Sequence, residues 1–131
     1  MSDPFKILIE ECLYAGMRYP TVGDWEQTTP NLLQVAVAHE LVDWRYKALV
    51  GVHEVIEALL CKHRGITGDA VTEFDREFEE NRVMPDDDRE PGDDPEAPYR
   101  REHFFATSIE RLLAAELGVD WAEYETAINA L

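Results

Sequence analysis

From Asp43 to Arg64 the chain runs for 22 residues without a proline, with apolar side chains (Leu49, Val50, Val52, Val55, Ile56, Leu59, Leu60) on nearly every side of a helical projection. Asp43 stands as an N-cap and Gly65 as a stop, so the stretch predicts a long helix. A helix that is apolar almost all round belongs at the centre of a fold. Upstream, Phe5 to Leu13 is apolar on both parities (Ile7, Leu8, Ile9) and reads as a strand rather than a buried helical turn. Asn31 to Ala38 sets Leu33, Val35 and Val37 against Gln34, Ala36 and Ala38, the alternation of a second strand. Between them, Tyr19 to Trp25 reads as an ordered aromatic loop, because Pro20 and Gly23 interrupt it.

Asp69 to Asn81 predicts a shorter amphipathic helix with Val71, Phe74 and Phe78 on one stripe. Tyr99 to Leu117 predicts another, stopped by Gly118, and Asp120-x-x-Glu123 is a capping box opening a last helix to Leu131. Pro85, Pro91, Pro95 and Pro98 bracket Asp86 to Asp88 and Asp93-Asp94. That composition predicts a solvated linker over 85–98 that does not order itself. The expected fold is therefore α+β and mainly helical: about four helices around a buried central one, one or two short N-terminal strands and a long acidic loop, all in one domain over 1–131. No internal repeat or heptad run competes with that reading.

Composition changes this picture in one respect. The 131 residues are 45% hydrophobic, enough for a real core, yet 28 Asp and Glu face only 12 Lys and Arg, a net charge of −16. Such a chain is repelled by a phosphate backbone or an anionic membrane surface, so direct nucleic-acid binding is not expected. Cys12 and Cys61 are too few for a disulfide framework and form no CxxC pair; both are expected as reduced, buried thiols. With no basic leader and no apolar run of the ~20 residues that span a bilayer, a cytoplasmic protein is expected.

The candidate chemistry lies where polar residues interrupt apolar ones. His53 and Glu57 sit one turn apart on the central helix, on a stripe otherwise made of Tyr46, Leu49, Val50 and Leu60. A buried carboxylate needs a partner, and a divalent cation satisfies imidazole and carboxylate together. His103 opens the helix after the acidic loop, with Thr107, Glu110 and Ala114 on its side and Phe105, Ile109 and Leu112 opposite. The constellation expected is His53, Glu57 and His103 as metal ligands and Glu54 as general base. Asp75 or Glu110 would serve as a fourth ligand or as the carboxylate that orients an imidazole. The ligand set is mixed, so zinc is favoured slightly over manganese or magnesium. The alternative for His53 and Glu57 is a neutral imidazole hydrogen-bonded to a carboxylate in the core. His39 and His63 read as structural, the latter at a helix C-terminus where a cation is favoured. Asp86 to Asp94 lacks the order of a calcium loop. No GxGxxG, P-loop, GxSxG or di-iron Glu-x-x-His pair is present.

His53-Glu54-x-x-Glu57 is partially similar to the HExxH of zinc peptidases, with the second histidine replaced by glutamate. Glu54-x-x-Glu57 followed by Glu77-x-x-Glu80 resembles, less closely, the ExxE and ExxD helices of MazG-like nucleotide pyrophosphohydrolases. That likeness implies a magnesium-dependent enzyme and is compatible with a homodimer. The run from Arg45 to Cys61, then Phe74-Asp75, Gly92 to Tyr99 and His103, resembles a group of small bacteriophage and prophage proteins that carry no assigned activity. What that resemblance implies is a phage setting in a host cytoplasm.

The function expected first is a metal-dependent hydrolase acting on a small-molecule, peptide or nucleotide substrate. A magnesium-dependent nucleotide pyrophosphohydrolase comes second. A non-enzymatic acidic protein that mimics DNA or inhibits a host protein comes third, and adaptation to a salty cytoplasm, from three lysines against nine arginines, fourth.

Overall fold

The computed structural model describes residues 3–82 and 88–131. It is an α+β fold in which a three-stranded sheet and four helices follow the order β1 (Lys6–Cys12), β2 (Gly23–Thr29), β3 (Leu32–Ala38), α1 (Trp44–Arg64), α2 (Gly68–Glu80), α3 (Arg100–Glu116) and α4 (Trp121–Asn129). The sheet order is β1-β3-β2, with β1 parallel and β2 antiparallel to the central β3. The alternation expected of β3 is observed: Leu33, Val35 and Val37 are buried. Trp25 is in register with Val35 and Ile9 is on its other side, so all three share the face turned toward α1.

β2 is a correction to the sequence reading, which placed an aromatic loop as far as Trp25. Gly23-Asp-Trp-Glu-Gln-Thr-Thr has little strand signal of its own, and it is extended because it docks on β3. The strand β1 differs in another way: all its residues but Cys12 are exposed, Ile7 at 40% and Ile9 at 50%, since it forms one edge of the sheet.

Helix α1 begins and ends where its caps place it. The Asp43 carboxylate accepts from the Arg45 backbone N–H at 2.9 Å, and Gly65, at φ 75°, takes the left-handed turn that lets Ile66 N–H close back on the Cys61 carbonyl at 2.9 Å. One side of α1 covers the sheet and the other packs on α3, so Leu49, Val50, Ala58 and Cys61 are enclosed. Cys61 is fully buried, and burial followed by the nearby Glu57 charge pushes its thiol up to about 12. Cys12 is only half-buried, against expectation, and both cysteines are free.

Helix α3 is amphipathic in the opposite sense to a core helix. His103, Ala106, Glu110 and Ala114 are buried against α1, while Phe105 and Leu112 are 52% and 66% exposed. The polar residues therefore line the interior, and a stable interior of that kind has to satisfy each of them.

The acidic stretch also departs from expectation. Of 85–98, positions 85–87 lie outside the described residues, but the rest is shaped by a 3₁₀ turn at Pro91–Asp93, in which Gly92 is buried, and by Ala97, packed in the core just before Tyr99. Gly92 lies against the His103 ring: a Cβ there would fall 2.3 Å from the ring Cγ. The segment is thus a lid over one end of α3.

Candidate metal centre

Helices α1 and α3 bring His53, Glu57 and His103 together as the sequence reading expected, each at most 8% exposed. Glu57 is their hub. Its Oε2 lies 3.2 Å from His53 Nε2 and 3.0 Å from His103 Nδ1, and its Oε1 accepts from the Trp25 indole at 3.0 Å. The two imidazole rings meet edge to face with centroids 4.8 Å apart. Ligands of a tetrahedral ion with bonds of 2.0–2.2 Å stand about 3.3–3.6 Å from one another, and cis ligands of an octahedral ion about 3 Å. The three donor atoms lie within 4.8 Å of one another, a span that suits one ion.

Behind each donor stands a group that aims it. Glu110 Oε1 is 2.7 Å from His53 Nδ1, and the other Glu110 oxygen accepts from the Tyr124 hydroxyl at 2.6 Å. Glu110 thus meets the His53 nitrogen that faces away from Glu57, the position from which a carboxylate can orient an imidazole. Asp75, the other candidate, is held by two hydroxyls, Tyr19 at 2.7 Å and Tyr99 in a short hydrogen bond. It lines the same cleft as the histidines but is bound into its own tyrosine clamp.

The charge states follow from this wiring. Burial disfavours a charged His53 ring, but hydrogen bonds to Glu110 and Glu57 outweigh it and hold the ring well above its ordinary range. A hydrogen bond to Glu57, with the Glu90 carboxylate close to the other ring nitrogen, likewise outweighs burial and lifts His103 to about 10. Burial alone would raise Glu57, yet hydrogen bonds from His103 and His53 pull it down to about 2. Glu54, next along α1, has no hydrogen-bond partner among the described residues; burial, then the Glu57 charge, raises it well above the carboxylate range. Asp75 is lifted to about 7 by burial, against its two tyrosine donors.

The cleft around these groups has a volume of about 550 Å³ and opens between β2, α1, α2 and the acidic lid. Its size falls in the range of small-molecule sites. Glu54 lines it beside His53 and Glu57, and so do Asp75 and Glu79 from α2. Glu77 and Glu80 are exposed on α2 instead, so the second half of the ExxE pattern does not reach the site. His39 is exposed and pairs with Glu11 at 3.2 Å, away from the cleft.

Trp25, Tyr124, Glu90 and Asp93 contribute to the site without a sequence signal that marks them. Trp25 and Tyr124 carry no motif, although Trp121, Tyr124 and Ile128 share a stripe on α4 at helical spacing. Glu90 and Asp93 lie in a run whose composition predicts a solvated linker, and nothing there distinguishes them from their acidic neighbours. Comparison of the chain with known protein families, with curated proteins and with solved structures finds no match. No helix among the described residues is long and apolar enough to cross a membrane.

Proposed function

We propose that this chain is a divalent-metal-dependent hydrolase, with His53, Glu57 and His103 as ligands and Glu54 as the general base. The observation that carries the reading is the buried His53–Glu57–His103 cluster, in which every donor is held from behind: His53 by Glu110, Glu57 by Trp25 and His103 by the acidic lid. A bound divalent ion supplies a water of lowered pKa and polarises the bond under attack. Glu54, which lines the cleft beside the ligands, would take the proton of a water attacking a carbonyl carbon or a phosphorus and would return it to the leaving group. Burial and the Glu57 charge raise Glu54 and make its carboxylate a stronger base than an ordinary one, and a cation bound beside it would favour the ionised form that accepts the proton. Glu110 and Trp25 neither touch substrate nor move a proton; they fix the ring and the carboxylate that do the holding.

The ligand set of two imidazoles and one carboxylate favours zinc, with manganese next. The many carboxylates around the cleft favour a neutral or cationic substrate over a free polyphosphate. The test is elemental analysis of the chain purified without added metal, beside His53→Ala. The expected result is a stoichiometric divalent ion in the wild type and its loss in the variant. A wild type that binds no zinc or manganese and gains no thermal stability from either leaves the cluster as a hydrogen-bonded core network, and the proposal falls.

A further inference from the structure

The acidic lid brings a second group of metal-competent atoms to the same histidine. Glu90 and Asp93 flank the turn whose Gly92 lies on the His103 ring, and their carboxylates approach the ring's other nitrogen, Nε2, at 2.9 Å and 3.3 Å. The His103 side chain is only 6% exposed. Yet Nε2 makes no hydrogen bond: both oxygens stand off the axis along which the ring would donate. A proton between these groups calls for a nearly linear arrangement, whereas an ion on the ring axis calls for the oxygens to flank it. The three donor atoms again lie within 4.8 Å of one another.

We propose that Glu90, Asp93 and Nε2 of His103 form a second divalent-cation site at the rim of the cleft, sharing His103 with the inner site. The sharing rests on the reading of His103 as an inner ligand through Nδ1; the rim site itself does not. Glu90 and Asp93 are half-exposed, so solvent completes the coordination of a rim ion. Two carboxylates and one imidazole suit manganese or zinc. If both ions bind, His103 would serve one through Nδ1 and the other through Nε2, its ring protons having gone to solvent. The rim ion would then tie the lid to α3.

The experiment is titration of the metal-free chain with Mn²⁺ alone, following the number of ions bound by calorimetry and by the loss of the free-ion electron paramagnetic resonance signal. The expected result is two ions for the wild type, one for the double variant Glu90→Gln/Asp93→Asn, one for His53→Ala and none for His103→Ala, with circular dichroism confirming that each is folded. Because Glu90 and Asp93 are half-exposed, their replacement is not expected to unfold the chain. Equal ion numbers in the wild type and the double variant overturn the rim site, whatever the inner site does. A single wild-type ion that survives His53→Ala and is lost in the double variant supports the rim site and refutes the inner one. No ion in any form overturns both.

Discussion

Replacing Gly92 by alanine tests the seating of the lid on His103. The added Cβ would lie 2.3, 2.5 and 2.7 Å from Cγ, Nδ1 and Cδ2 of the ring, about 1 Å short of the ~3.5 Å at which carbon atoms rest against each other. The ring has little room to yield, because Glu57 holds Nδ1 and α3 holds the backbone, so the turn at Pro91–Asp93 has to move outward. Overpacking of this kind costs about 1–3 kcal/mol. For a chain of this length a loss of 1 kcal/mol lowers Tm by roughly 4 °C, so the expected fall is about 4–12 °C. The assay is thermal unfolding followed by circular dichroism, with Gly16→Ala as control, since a Cβ at Gly16 meets only Cys12 Sγ, at an ordinary 3.4 Å. A turn displaced by about 1 Å also carries Glu90 and Asp93 away from Nε2, so Mn²⁺ binding at the rim is expected to weaken in the same variant. An unchanged Tm together with unchanged Mn²⁺ binding refutes the contact between lid and ring.

Three further outcomes follow from the site. Glu54→Gln is expected to retain its metal while losing about 10²–10⁴-fold in turnover of any substrate found, so metal content and rate measured together separate a base from a ligand. Glu110→Gln removes the carboxylate behind His53 and is expected to weaken zinc affinity about 10–100-fold in a competition titration with a chromophoric chelator; an unchanged affinity denies it the orienting role. Asp75, at about 7 in the folded chain against 3.8 ordinarily, contributes stability that is fully present below pH 4 and is lost as pH rises through 7. Urea unfolding of wild type and Asp75→Asn is therefore expected to shift in favour of the variant between pH 4 and pH 8, by up to about 4 kcal/mol, and a pH-independent difference contradicts the raised carboxyl.

The parts of the fold that could be read in the sequence are those with local causes. Helix α1 announces itself through an unbroken apolar run, the Asp43 cap and the Gly65 stop, and these are the contacts that bound it in the structure. Its site residues were visible for the same reason: His53 and Glu57 are conspicuous because everything around them is apolar. The residues that escaped notice depend on distant partners. Trp25 lies 32 positions from the Glu57 carboxylate it supports, and β2 has no alternation strong enough to outweigh its glycine and charges. Glu90 and Asp93 were concealed by composition, since a run of carboxylates does not reveal which of them meets an imidazole. On α3 the periodicity was correct and its usual meaning was not: the apolar stripe with Phe105 and Leu112 faces outward because the opposite stripe is needed for the histidine and the glutamate.

The exposed strand β1 gives the charge of −16 a colloidal task. Its outer edge has no strand beside it among the described residues, and Ile7, Leu8 and Ile9 stand 39–50% exposed there, which makes a template for another copy of the same strand. The strand itself carries Lys6, Glu10 and Glu11 against such pairing, and the surplus negative charge adds repulsion between whole molecules. That protection has a narrow range: it disappears near the sequence pI of about 4.4 and shortens to ~3 Å in molar salt. At this edge the surplus carboxylates act at long range and the exposed isoleucines at short range.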